Sequence, residues 1–461
     1  MTKVQKLRVF HVLTMLLALL VVAVAGTAKL SASAMAASHP VTRANTHGAG
    51  PNTLWPLPRL SSKIQYVVVI IQENRSFDNM FNGFPGANTQ NYGYDSQGNL
   101  VQLQPVPQED GHDPAHTHIA FETAYDGGRN DAFDLEGFDS NPTSTPDYQY
   151  AYVPSNETAD YWTYAGNNAL ADNFFVSNSG PSYPTHQYFI AGQSDRVAEV
   201  PNGFPWGCDS PPSTTTTVLN HRGQEVTGPF PCFDYATVGD LLDAGGISWA
   251  YYTPPLNGEG GLWNAYDSIN HIRYGADWAN IITPETTILG DVQNGTLRQV
   301  SYVVPSCGNS DHAICGGNGG PAWVSSIVDA VGNSPYWNST AVFVVWDEWG
   351  GWFDHVAPQQ FGDKMGLNFR SPLIAISPYS KIGYVSHVRH ESTSIIKFIE
   401  HTFHLGSLGT NAERRADDLH DMFNLHQHPH GLASRRSRAA QRLNIQHFIH
   451  QRPAPRVLHN D

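Results

Sequence analysis

Three short apolar runs stand out against an otherwise polar chain. Tyr66–Ile71 (YVVVII) is an unbroken, mostly β-branched stretch, Ala341–Trp346 (AVFVVW) is a second, and Leu373–Ile376 (LIAI) is a shorter third. Runs of this length without polar interruption predict strands buried on both faces, the pattern of a parallel sheet. Between and after them, helical spacing recurs at Asp240–Ala244, Val324–Val331 and Ser392–Phe403 (STSIIKFIEHTF), the last with a Ser or Thr placed to cap it. Alternating strands and helices predict an α/β fold, a mostly parallel sheet flanked by helices. Such sheets bind ligands at the carboxyl ends of their strands. Polar residues follow each run directly: Gln72-Glu73-Asn74, Asp347-Glu348 and Ser377. Residues 85–160 and 200–235 lack periodicity and are rich in Gly, Pro, Asn and Asp, so they predict long loop insertions over one face of the sheet.

The ends of the chain read differently. Lys3, Lys6 and Arg8 precede an apolar stretch, Val12 to Ala25, and then Ala-x-Ala patterns at 32–34 and 34–36. Residues 1–36 are therefore expected to be a cleaved secretory signal peptide, its core being short of the roughly 20 residues that span a bilayer. Residues 37–62 read as a linker, residues 63–423 as the catalytic domain, and residues 424–461, with His426, His428, His430 and Arg435, Arg436, Arg438, as a solvated tail. The expected location is secreted or cell-surface, with no stable membrane span after cleavage. Acids outnumber Lys and Arg 41 to 26, a net charge of −15. That balance excludes nucleic-acid binding by bulk electrostatics, but leaves room for an anionic substrate where a metal supplies local positive charge. Four cysteines in an exported chain predict two disulfides. Local pairing, Cys208 with Cys232 and Cys307 with Cys315, is the expected choice among three connectivities.

Four polar clusters carry candidate chemistry. Glu73 and Asn74 in Gln72–Asp78 (QENRSFD) pair a carboxylate with an amide oxygen, hard ligands for Ca, Mg, Mn or Fe. Asp347 and Glu348 open WDEWGGWFDHV, where adjacent acids repel and a cation would relieve the cost, while two glycines permit close backbone approach. In Ser179–Gln187 (SGPSYPTHQ), Pro184 suits the first position of a helix. Ser182 would then sit just before a helix N-terminus that favours phosphate, and a neighbouring metal could make its hydroxyl a nucleophile. Finally, Asp311 and His312 in PSCGNSDH, and His116 in DPAH, are candidates for proton transfer; His271 is a weaker one.

Taken together and in this order, ENRSFD at 73–78, Pro-Ser-x-Pro at 181–184, Ser-Asp-His at 310–312 and DEWGGWFDHV at 347–356 resemble a bacterial phosphoesterase family. That family contains phosphatidylcholine-type phospholipases C and related acid phosphatases. The resemblance runs from about Lys63 to Phe423 and implies an alkaline-phosphatase-like fold. It implies that Glu73, Asn74, Asp347 and Glu348 hold a divalent metal (Ca, Mg, Mn, Fe or Zn) and that Ser182 is the nucleophile. Asp311 and His312 would contact the phosphoryl group or protonate the leaving group, and His116 matches an early family histidine. The implied activity is hydrolysis of a phosphate-ester small molecule through a phosphoserine. Its alternatives are a phospholipase C acting on phospholipid head groups, or a silent relative that binds phosphate polymers. Two departures bear on the substrate. Thr185-His186 stands where the family commonly has Asn-Arg, and Glu391-Ser392-Thr393-Ser394 where many members have Asp-His-Thr-Ser, with His390 adjacent.

Overall fold

The structure, a computed structural model, describes residues 63–451 except 316–318 and 363. The expected signal peptide and linker lie outside the described residues. The central sheet has eight strands: β1 Tyr66–Gln72, β2 Ala169–Ala171, β3 Trp249–Tyr252, β4 Ile281–Ile282, β5 Val300–Val303, β6 Thr340–Trp346, β7 Leu373–Ile376 and β8 Tyr384–Ser386, in the order β4-β3-β5-β1-β6-β7-β2-β8. All neighbours pair in parallel except at β7, which runs against both β6 and β2.

Strand β1 explains why a continuous apolar run was needed. Val67, Val69 and Ile71 enter one core while Val68 and Ile70 enter another on the opposite face, so neither face can be polar. Helices cover both sides. α1 Phe77–Phe81 follows β1, and α2 Ala159–Asn167 packs Tyr161 and Tyr164 under one face. α3 Ser182–Ala191 and α4 Val238–Gly245 lie over the other face. α5 Thr287–Asn294 and α6 Gly319–Gly332 join α2, and α7 Ser392–Phe403 joins α3. The result is a three-layer α/β/α arrangement, as the alternation of elements predicted.

Two expectations change. Because β7 is antiparallel, Ser377 lies at the edge away from the carboxyl ends of β1 and β6; its hydroxyl donates to the Thr340 carbonyl, 2.9 Å away at the start of β6. In the region read as a solvated tail, α8 Arg438–Ile449 packs on the sheet's helical layer. Ile445 and Phe448 are buried there, and the Phe448 ring lies 5.2 Å from that of Trp323 in α6. Its arginine-rich sequence masked an apolar contact made by Ile445 and Phe448, with Ile449 partly buried beside them. Phe448→Ala should therefore cost about 3 kcal/mol in equilibrium denaturant unfolding; a solvated tail residue would shift the midpoint hardly at all. Both disulfides pair locally, Cys208 with Cys232 and Cys307 with Cys315. Among the described residues, no helix is long and apolar enough to cross a membrane.

Candidate active site

Register brings the first two clusters together. Gln72 and Trp346 are opposite partners at the ends of β1 and β6, so the residues that follow them emerge side by side. The Asp347 amide donates to the Gln72 carbonyl at 2.9 Å and the Arg75 amide to the Glu348 carbonyl at 3.0 Å. Asn74 adopts φ 60°, a left-handed turn that Asn tolerates, and its amide then donates 2.8 Å to Asp347 Oδ1. Gly350 must be glycine here: with φ 67°, an added Cβ would strike the Asn74 carbonyl.

Helix α3 points its N-terminus at this nest. Ser182 is its first residue, two positions earlier than Pro184 suggested; the missing N–H of Pro184 falls in the first turn, where no intrahelical partner exists anyway. The Ser182 hydroxyl lies 3.4 Å from Glu73 Oε2. One turn on, on the same helix face, His186 places Nε2 3.0 Å from Glu73 Oε1 and 3.6 Å from Asp347 Oδ2. In the sequence, His186 stands out only as a departure from the family pattern. Its four-residue spacing from Ser182 was the available signal.

Charge crowding here is severe. Burial first and the Asp347 charge second push Glu73 up to about 8, and burial also holds Glu348 well above the usual carboxylate range. Burial opposes ionisation of Asp347 too, but His186 and the Asn74 amide hold it below its ordinary value. Burial would discharge His186, yet Glu73 and Asp347 outweigh it and raise it to about 10. Three buried oxygens in the nest, Asn74 Oδ1, Asp347 Oδ2 and Glu348 Oε1, have no hydrogen-bond donor. Each such orphan costs about 1–3 kcal/mol. A divalent cation would satisfy all three and cancel the carboxylate repulsion, so the residues present fit a metal. The oxygen donors suit Ca, Mg or Mn, and His186, whose ligand atom lies within 4.8 Å of those of Glu73 and Asp347, would extend the choice to Fe or Zn.

A pH test follows without any substrate. Glu73, Glu348, His186 and His116 all have raised pKa values in the fold. The folded state thus holds more protons than the unfolded chain, and stability falls as pH rises. For the chelated protein, the unfolding free energy should decline from about pH 4.5 toward pH 10, by about 1.4 kcal/mol per pH unit for each group titrating. Restoring the metal should flatten that slope.

Beside the nest opens a cavity of about 560 Å³, lined by Ser182, His116 and His312 among others. The two imidazoles stand with ring centres 5.7 Å apart, and Nδ1 of each is 3.9 Å from Asp113 Oδ1. Asn74 Nδ2 is 3.1 Å from His116 Nε2, joining this pair to the nest. Burial disfavours a charged His116, but Glu348, Asp113 and Asp139 raise it to about 10; burial lowers His312, and the His116 charge lowers it further. Asp311 is placed elsewhere. Its carboxylate accepts from Tyr161 at 2.8 Å, from Trp346 Nε1 at 2.9 Å and from Gln108, and it does not line the cavity. Its loop is clamped to β1, since the Gln72 amide oxygen accepts from the Asp311 N–H at 3.0 Å and the Arg75 guanidinium donates to the Asp311 carbonyl at 2.8 Å. His271 bridges Asp234 and Asp240, and His390 bridges Asp417 and Ser386; neither lines the cavity.

Over 428 residues the chain is 25% identical to a hemolytic phospholipase C of Pseudomonas aeruginosa, covering 78% of this chain and 56% of that protein, so it spans little more than half of that relative. Phospholipase C B of Mycobacterium tuberculosis is also 25% identical, over 77% of this chain and 75% of its own length. The non-specific phospholipase C6 of Arabidopsis thaliana is 23% identical, over 78% and 71%. Among solved structures, an alkaline phosphatase superfamily protein from Vibrio parahaemolyticus aligns with a TM-score of 0.36 at 11% identity, over 77% of this chain and 70% of that one. The Phosphoesterase family profile matches residues 64–406, which takes in the nest, α3 and the His312 loop, and the chain belongs to that family.

Proposed function

We propose that this protein is an exported, metal-dependent hydrolase of phosphate esters that works through a phosphoserine at Ser182. One observation carries the reading: the Ser182 hydroxyl heads a helix at the junction of the cavity and the oxygen nest, 3.4 Å from Glu73. Glu73, Asn74, Asp347 and Glu348 would hold the metal, which would favour ionised Ser182 and offset charge on the phosphoryl oxygens. Ser182 attacks phosphorus in line. The free N–H groups of the first turn of α3 meet the equatorial oxygens as charge builds there. His186 braces the Glu73 and Asp347 carboxylates. The leaving oxygen takes its proton from one of the pair, His312 or His116. Asp311 acts at a distance, by fixing the loop that bears His312. Water then cleaves the phosphoserine.

A second, narrower reading has its own support. The cavity walls combine Trp206 and Trp263 with the carboxylates of Asp113, Asp139, Glu199 and Glu259. Aromatic faces and carboxylates together recognise a quaternary ammonium, as in a choline head group. This favours a phospholipase C, in keeping with the names of the relatives. The test is turnover of p-nitrophenyl phosphate and p-nitrophenyl phosphorylcholine by protein loaded with each candidate ion. Both should be hydrolysed, the choline ester with the lower KM. Trp263→Ala should raise KM for the choline ester about tenfold and leave the plain monoester little changed. No turnover of either ester with any ion would overturn the proposal.

A further inference from the structure

The lining of the cavity is apolar in part and acidic in part. Val200 and Leu262 line it, with Trp206 and Ile314 beside them. Phe204 extends this rim outward. A Cβ added at Gly261 would stand 2.8 Å from the Phe204 ring, which places that ring over the chain segment carrying Leu262. Val200 is 37% exposed and Phe204 43%, so one lining residue and a near neighbour in the chain present large apolar side chains to solvent. Scattered apolar residues on a surface need no explanation, but a patch continuous with a binding cavity does.

The charge around it narrows the partner. Among the described residues that line the cavity none is Lys or Arg and four are Asp or Glu, and the chain carries a net charge of −15. An anionic membrane surface would be repelled. A zwitterionic surface, with cationic groups outermost, would not. We propose that Val200, Phe204 and Leu262 form a docking rim that seats the protein on a zwitterionic phospholipid surface. The head group then enters the cavity while the acyl chains stay in the bilayer. This rests on the phospholipase reading and adds to it a surface that soluble esters do not need.

The test uses Phe204→Ser and Phe204→Trp, because Phe204 lies outside the catalytic set. Rates are measured on phosphatidylcholine vesicles and on soluble p-nitrophenyl phosphorylcholine, together with cosedimentation on phosphatidylcholine vesicles with and without an anionic lipid. Phe204→Ser should lose about tenfold or more in vesicle binding and vesicle hydrolysis while keeping the soluble rate, which also shows that the variant is folded. Phe204→Trp should restore the vesicle values. Equal losses on both substrates, unchanged vesicle binding, or tighter binding to anionic vesicles would overturn the rim. Failure of the phospholipase reading would show separately, as a parent protein that binds vesicles but hydrolyses neither substrate.

Discussion

Ser182→Ala should lower kcat by at least about a thousandfold, the loss expected when a covalent nucleophile is removed. The variant should remain folded and metal-loaded, because the Ser182 hydroxyl makes one hydrogen bond among the described residues, 3.4 Å to Glu73, and is not the cap of α3, whose N-cap residue is Pro181. Substrate binding should survive, since the nest and the backbone N–H groups remain. If Ser182 were only a residue of the first helical turn and water attacked directly, the change would cost little rate and little stability. Steady-state kinetics beside a metal assay and a melting curve would separate the two. Ser182→Thr keeps a hydroxyl at the helix head and should retain part of the activity.

The second large effect is expected at Asp347. Its Oδ1 accepts from the Asn74 amide at 2.8 Å while its Oδ2 has no hydrogen-bond donor. Asp347→Asn preserves an oxygen for the Asn74 N–H but removes the negative charge that a cation needs. Metal affinity should fall by at least about a hundredfold, more than loss of a supporting hydrogen bond costs, and turnover should fall with it. Elemental analysis of the purified variant, followed by titration with excess metal, checks this. Normal metal content with full turnover would remove Asp347 from the ligand set.

Much of the site was legible because it hangs on two strands that could be read directly. The runs Tyr66–Ile71 and Ala341–Trp346 are buried on both faces and can hardly be anything but central parallel strands, and their register aligns Glu73 and Asn74 with Asp347 and Glu348. Ser182 was legible from a local signal, the prolines around a helix start. Other features depend on tertiary placement. LIAI has the composition of a parallel strand, but only the return path of the chain decides that β7 runs backwards and takes Ser377 to the wrong edge. Asp311 sits beside His312 in sequence, yet successive side chains on a loop diverge, and Tyr161 and Trp346 capture its carboxylate behind the cavity wall. Glu199 and Trp206 come from the connection after α3 and Trp263 from the short helix Gly260–Trp263, segments that no single-sequence pattern could have joined into one cavity wall.

Acid quenching of the metal-loaded enzyme within its first turnover tests the proposed covalent step at the Ser182 hydroxyl most directly. With substrate labelled in the phosphoryl group, peptide mapping should find the label on Ser182, appearing with the first burst of released alcohol and absent from Ser182→Ala. A burst of product with no phosphate on Ser182 would contradict the account and assign the attack to water.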